Sequence, residues 1–461
     1  MARLGGYAYI ALGAIACALS IGFTVSCWDY PWPFPQLEID CYAYLSGAAG
    51  ATWGTLLRLH QLFSSPGYQL YLRFLFASLA PETALHTSKV LSLSMFFVSA
   101  LLLYELGRRW FDPAVGQVAA LLFLFSESWK YYCNLIQYEV LAGFLMLLLL
   151  TMLMARESER SSAIAQCYEV AIGGILAFLS MIQSRYLLLL ILPMTHSWLM
   201  HRQRFSLRDL RRNGVILTVW CLLIAAWILV QSTDQGKMVL LQAGGNFRMR
   251  VGNNPNAMGY SFPLPAVVEP SGWRFVYSMP TRWLWLIAQR ALYLFGVKRD
   301  VWTLPPVGFR SGPIGSHSWW NLAAAMTFAT GLVLASIRPR RGEQRPEFAL
   351  GVVLLGCVIL PPLLLFGSER FIVPVVPLMA LFQAYAMMSC MRPFLGTRWI
   401  RLPAHPASTF ALAAVLGVAL SAAIHLLHVS LPIQTGAPDI KTVMHRISVQ
   451  SDLAHHGAAD N

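Results

Sequence analysis

The chain has 461 residues, is 57% hydrophobic and only 12% charged, and has a mean hydropathy of +0.55. Soluble domains carry about a quarter charged residues and about 45–50% apolar ones, so the composition excludes a soluble globular enzyme. The net charge of +13 does not indicate nucleic acid, because the basic residues form no single stripe and no basic-aromatic module is visible. They fall in short clusters between apolar runs, such as Arg108 and Arg109, Arg202 to Arg212, and Arg338 to Arg345. Clusters of this kind obey the positive-inside rule and suit an anionic cytoplasmic leaflet.

Taken in order, the first apolar run covers Tyr7 to Cys27, with Arg3 inside. It is longer than a signal-peptide core and lacks a small-x-small cleavage site, so it is expected to be a retained helix. An outer loop, 28–88, follows. The next helix ends inside at "LGRRWFDP", and a third rises to the outer turn "SESWKYYCNLIQ". A fourth descends from Glu139 to "ARESER", a fifth exits at Gln183 to Arg185, and a sixth returns to "HRQRFSLRDLRRNG". The seventh ends outside near Gln231 and leads into the largest polar-containing insert, 232–317. Within it, residues 263–295 mix aromatics with arginine, as a surface-lying amphipathic segment would. The eighth run reaches "RPRRGEQRPE", the ninth exits at "FGSER", the tenth returns to "MRPFLGTRWIR", and the last spans Thr409 to His428. The expected fold is an all-α polytopic membrane protein, a single domain over 1–461 with about eleven transmembrane helices and extracytoplasmic juxtamembrane helices and loops. No internal repeat is visible. The eight cysteines are scattered without metal-ligand spacing, which gives no metal site. Cys27, Cys41 and Cys133 fall on the outer side, where a disulfide is permitted.

Candidate chemistry lies on the outer side. Asp40, Tyr44 and Ala48 recur every four residues, which puts them on one helical face. Asp40 there is either an acid offered at the membrane surface or the N-cap of a juxtamembrane helix; the residues alone leave both open. Glu38, on another face, reads as solvated. Arg185 and Arg370 lie at outer helix ends, where an ionisable side chain either serves a site or snorkels. Lys130 is a third cationic candidate. Glu139 opens its helix at the positive dipole end, and Asn253 and Asn254 stand in the turn-forming "GNNPNAMG".

"DCYAYLSGA" resembles the D-x3-Y-x3-A pattern after the first helix of bacterial family-39-type membrane glycosyltransferases, relatives of the dolichyl-phosphate-mannose protein mannosyltransferases. Further likenesses follow in order over most of residues 20–390. "SSPGYQLYLRFLF" is similar to their P-P-G-Y-P segment, with Ser65 and Gln69 in place of two prolines. "NLIQYEVLAGFLMLLLL" resembles their Glu-initiated helix, and "FLSMIQSRYLLLLILP" their Arg-bearing turn. "RMRVGNNPNAMGYSFP" resembles their outer G-N-N-P loop, and "SERFIVPVVPLMAL" their R-Y-x-x-P-x-x-P-L helix.

The resemblance implies the C-type glycosyltransferase fold in a bacterial inner or plasma membrane, with an extracytoplasmic active site. It implies transfer of a hexose or pentose from a polyprenyl-phosphate donor to a protein, lipid or glycan acceptor, with inversion. Asp40 would be the base. Arg185, Arg370 and Lys130 would face the donor phosphate, and Tyr44, Tyr68, Glu139, Asn253 and Asn254 the substrates. No cofactor is implied; a divalent metal stays open but is not indicated, because the arginines could neutralise the phosphate unaided. The alternative is a transporter or flippase of lipid-linked sugars, which would carry its ionisable residues at mid-membrane depth. Here they lie at helix ends.

Overall fold

The computed structural model describes residues 2–30, 38–49, 51–57, 66–158, 162–200, 206–236, 238–239, 245–257, 269–297, 316–337, 348–365, 367–395, 439, 441–444 and 446. Among them the chain is helical, with no strand. Among the described residues seven helices are long and apolar enough to cross a membrane: Tyr9–Ser26, Pro81–Trp110, Glu139–Glu157, Ala163–Ile182, Leu207–Asp234, Phe348–Leu365 and Val373–Met391. Pro113–Leu124 and Asn321–Ile337 are shorter apolar helices. The sixth expected run is a 3₁₀ turn, Ser184–Leu190, followed by a short helix, Ile191–Met200. The expected last span, Thr409 to His428, lies outside the described residues.

In chain order the helices are α1 (Ala2–Ser26), α2 (Glu38–Ala48), α3 (Pro66–Ser78), α4 (Pro81–Trp110), α5 (Pro113–Leu124), α6 (Glu127–Tyr132), α7 (Glu139–Ser158) and α8 (Ser162–Ile182). They continue as α9 (Ile191–Met200), α10 (Leu207–Gln235), α11 (Gly245–Gly252), α12 (Trp273–Ser278), α13 (Pro280–Leu294), α14 (Ser316–Ile337), α15 (Phe348–Leu365) and α16 (Val376–Leu395). Local chemistry sets the boundaries. Asp112 caps α5 by accepting from the Val115 amide at 2.9 Å, with Pro113 at the first helical position. Ser206 and Asp209 form a capping box that starts α10. The amphipathic segment expected over 263–295 is realised within α13, which buries Leu286, Arg290 and Leu294 at a four-residue spacing.

Helices α4 and α5 cross through two glycines. A Cβ on Gly107 would lie 2.5 Å from the Gly116 Cα, so neither position accepts a side chain at this separation.

The two ends of the bundle differ in chemistry. At the end where α7, α8, α9 and α10 meet, Arg156 is fully buried; its Nη2 donates to Glu157 Oε1 at 3.4 Å and to Ser197 Oγ at 3.4 Å. Arg212 reaches Glu157 at 3.1 Å and Glu169 at 3.3 Å. This paired, buried network ties four helices together, and removing one partner would strand the others.

At the opposite end, three buried cations clamp main-chain carbonyls instead. Lys89 of α4 donates to Trp28 O at 3.0 Å, Tyr30 O at 2.5 Å and also Cys27 O, holding the chain as it leaves α1. Arg73 of α3 donates to Leu56 O at 2.9 Å, Gly47 O at 2.7 Å and Thr55 O at 2.5 Å, holding the end of α2. Arg290 donates to Leu363 O at 3.0 Å, Leu364 O at 2.8 Å and Gly252 O at 2.6 Å, joining α13 to α11 and α15. Burial pushes Arg290 down to about 10, which still leaves it charged at neutral pH. The carbonyls it meets are those that a helix end leaves unpartnered.

Lys89→Met keeps the apolar stem and removes the donors. Each buried carbonyl left without a partner costs about 1–3 kcal/mol. The variant is therefore expected to melt several degrees below the parent in detergent, followed by tryptophan fluorescence; an unchanged Tm would show that the clamp contributes nothing.

Candidate active site

The carbonyl-clamped end gathers most of the residues singled out in the sequence. Helix α2 begins at Glu38, so Asp40 lies inside its first turn rather than at the N-cap. The side chains of Glu38 and Asp40 lie outside the described residues. Tyr44 and Ala48, one and two turns on, are buried, so the face they share turns into the protein. Tyr44 meets Tyr68 edge-on with ring centroids 5.1 Å apart, and Tyr68 stacks on Tyr71 at 5.7 Å.

Two glycines bring separate elements to this point. Gly67 at the start of α3 lies where a Cβ would be 2.8 Å from the Ile182 nitrogen. That approach sets Tyr68 against the end of α8, three residues before Arg185. Gly143 of α7 lies where a Cβ would be 2.5 Å from the Trp129 ring and 2.7 Å from Pro374 O. Trp129 in turn donates from Nε1 to Val373 O at 2.7 Å. The start of α7, with Glu139, is thereby held against the turn that carries Arg370.

Arg185 sits between two rings. Its guanidinium carbon is 4.5 Å from the Phe371 centroid and 5.0 Å from that of Tyr186, and its Nη2 donates to the Tyr186 hydroxyl at 3.1 Å. Its Nε is buried without a hydrogen-bond partner among the described residues. None of the described ion pairs involves Arg185. Burial opposes its charge, but the phenols of Tyr186 and Tyr138, the Tyr186 hydrogen bond and the Glu139 carboxylate outweigh it, leaving Arg185 above the ordinary arginine value. Arg370 lies 5.0 Å from the Phe371 centroid, on the same aromatic side chain. Tyr138 shows how close these groups are: burial raises its pKa, Glu139 adds to the rise, and Arg185 and Arg370 pull against it.

Tyr44, Tyr68, Glu139, Arg185 and Arg370 thus converge. Lys130 lies on α6, with Nζ 5.9 Å from the Phe125 centroid. Asn253 and Asn254 have structural partners. Asn253 donates to Leu364 O at 3.2 Å and accepts from Arg290 at 3.0 Å, while Asn254 Oδ1 accepts from the Asn256 amide at 2.9 Å. Cys27, Cys41 and Cys133 are buried thiols outside any disulfide among the described residues. Among the described residues no group of three His, Cys, Asp or Glu is placed to hold a metal.

Gln137, Tyr138, Tyr186 and Phe371 belong to the cluster and were not singled out in the sequence. Each lies within two residues of one that was, and the hint was a polar or aromatic neighbour at an outer helix end.

Neither a family model nor a curated protein matches the chain by sequence. Solved structures do match. ArnT from Cupriavidus metallidurans, bound to undecaprenyl phosphate, aligns with a TM-score of 0.53 at 14% identity, over 94% of this chain and 74% of that one. Archaeal oligosaccharyltransferase AglB from Archaeoglobus fulgidus, in complex with an inhibitory peptide and a dolichol-phosphate, aligns over 94% of this chain and 56% of its own. Its TM-score is 0.45 and its identity 12%. At 14% identity the ArnT likeness speaks to the fold alone: the chain has the fold of the C-type membrane glycosyltransferases.

Proposed function

We propose that the protein is an inverting glycosyltransferase that moves a sugar from a polyprenyl-phosphate donor to an acceptor on the extracytoplasmic face of the membrane. The observation that carries this reading is Arg185: a partly buried guanidinium held by two aromatic faces, with a buried, unpartnered Nε–H and no described carboxylate partner. A cation so placed suits an anion that arrives from outside the protein, and a phosphate matches the planar guanidinium fork. Arg370 shares the Phe371 ring and would meet the same group. ArnT was solved bound to undecaprenyl phosphate, a ligand of the kind these arginines would hold.

In the proposed step the acceptor hydroxyl oxygen bonds to the anomeric carbon while the bond from that carbon to the phosphate oxygen breaks. The acceptor proton passes to the Asp40 carboxylate, and the electron pair of the broken bond leaves with the polyprenyl phosphate. Attack and departure on opposite faces of the carbon give inversion. The two arginines balance the charge of the leaving phosphate. Asp40 stands in α2, whose next residue, Cys41, places its Sγ 3.9 Å from Gln137 Nε2, on the approach to Tyr138 and the arginines.

The orientation follows from charge. The Arg156–Arg212 end carries the basic clusters and would face the cytoplasm, so the arginine–tyrosine end would face outward. With cysteines placed at Asn256 and Ser206 in a background lacking native cysteines, a membrane-impermeant thiol reagent on intact cells should label the first and spare the second. The reverse pattern would remove the outer-face site.

Asp40→Asn is expected to lower transfer at least about 10²-fold, the scale of a lost general base, with little change in donor binding, while Glu38→Gln stays within a few-fold of the parent. Full activity in Asp40→Asn would dismiss it as the base. Arg185→Ala and Arg370→Ala should each weaken binding of undecaprenyl phosphate more than tenfold, on the scale of about 2–5 kcal/mol for a broken buried charge contact. The double variant should lose less than the sum of the two. Arg370→Lys keeps charge without the fork and should retain part of the affinity.

A further inference from the structure

Residues 133–138, between α6 and α7, are non-helical and buried throughout. Burying irregular chain with polar side chains is unfavourable unless each polar group finds a partner. Three here do not. Among the described residues, Asn134 Oδ1, Gln137 Oε1 and the Tyr138 hydroxyl have no hydrogen-bond partner, although the residues are only 0%, 4% and 2% exposed. Of the three, Gln137 and Tyr138 are those beside α2 and the arginines.

Their position gives these groups a use. Gln137 Nε2 lies against Cys41, the residue after Asp40. Tyr138 is the next residue along and sits within the field of Arg185 and Arg370. Geometry ties the segment to both sides: Gln137 meets Cys41 of α2, and the close approach of Gly143 to Pro374 holds the start of α7, just beyond Tyr138, against the turn that carries Arg370. An inverting transfer needs the acceptor oxygen, the anomeric carbon and the leaving phosphate oxygen in line. Between base and phosphate there must be a sugar ring, and Gln137–Tyr138 is a buried segment that leads from Cys41 of α2 to the start of α7.

We propose that Gln137 Oε1 and the Tyr138 hydroxyl hydrogen-bond ring hydroxyls of the donor sugar and determine which hydroxyl-bearing monosaccharide is transferred. This rests on the glycosyltransferase reading above. The carboxamide oxygen accepts from a sugar hydroxyl, and the phenol can donate or accept. A site built to bond a hydroxyl discriminates strongly against a sugar that lacks it, because its own buried groups are then left unpaired. Specificity would come from these two side chains, while the arginines read only the phosphate common to all such donors.

The test separates sugar from phosphate by using two kinds of probe without any acceptor. Undecaprenyl phosphate is compared with its glucose, mannose, galactose and arabinose conjugates for binding to the purified full chain and to Tyr138→Phe, Gln137→Leu and Arg185→Ala. The parent should bind at least one conjugate more tightly than undecaprenyl phosphate alone. Tyr138→Phe and Gln137→Leu should keep the affinity for undecaprenyl phosphate within about twofold of the parent and lose about tenfold for the favoured conjugate. Without ligand, Tyr138→Phe should melt no lower than the parent, since its hydroxyl has no partner to lose among the described residues. A sugar preference unchanged in both variants would overturn the proposal, as would a parent that binds every conjugate no better than the free carrier. A large loss of undecaprenyl phosphate affinity in Tyr138→Phe would make the phenol a phosphate contact and overturn it too. Unaltered undecaprenyl phosphate binding in Arg185→Ala would instead sink the phosphate reading of Arg185, whatever the conjugates show.

Discussion

Non-helical backbone near a membrane has to be satisfied from within the protein, and three cations do this where the helices of this chain stop. Lys89, Arg73 and Arg290 each point a charged head at carbonyls that the ends of α1, α2, α11 and α15, or the chain just beyond them, would otherwise bury without partners. A charge-assisted bond to a carbonyl is stronger than a neutral one, and one cation serves several acceptors. The price is desolvation of the cation, visible in the lowered pKa values of Arg73 and Arg290. The return is a set of fixed loops on which a site can be built.

That site depends on close approaches as much as on polar groups. Gly67 lets α3 meet the end of α8, and Gly143 lets α7 meet the turn before α16. Without them Tyr68, Glu139, Arg185 and Arg370 would be carried on elements held several ångströms apart. Phe371 then serves both arginines at once, with one guanidinium 4.5 Å and the other 5.0 Å from its centroid. A ring face stabilises a cation without neutralising it as a carboxylate would. Two positive charges can therefore be held near one ring.

The sequence was most legible where periodicity and charge act over long stretches. Ten of the expected apolar runs have helical counterparts, from α1 to α16, because twenty-residue hydrophobicity and arginine clusters are strong signals. Arg185 and Arg370 could be picked out because a lone cation at an outer helix end is conspicuous. The clamping cations were not, since Lys89, Arg73 and Arg290 lie within helical stretches, and nothing in a linear reading says which carbonyls will come within reach. Asn253 shows the same limit: the family likeness of its loop implied a contact with substrate, and only the fold reveals that its amide also meets Leu364 O and Arg290. Gln137 and Tyr138 escaped because what marks them, burial of polar atoms without a hydrogen-bond partner among the described residues, is visible only in the fold.

The contrast between the two ends bears on function more directly than the helix count. At one end Arg156 and Arg212 are matched against Glu157 and Glu169, an arrangement that holds four helices and leaves little net charge to offer. At the other, Lys89, Arg73 and Arg290 are matched against carbonyl dipoles, and Arg185 against aromatic quadrupoles. Dipoles and quadrupoles lower the energy of a cation without cancelling its charge, so each of these cations adds positive potential in a poorly polarisable surrounding, with the buried Glu139 set against it. Such a potential stabilises an anion most when that anion is newly formed and cannot yet be solvated. A phosphate released from a sugar is in that condition at the moment the glycosidic bond breaks, whereas a phosphate merely carried across the membrane bears the same charge before and after.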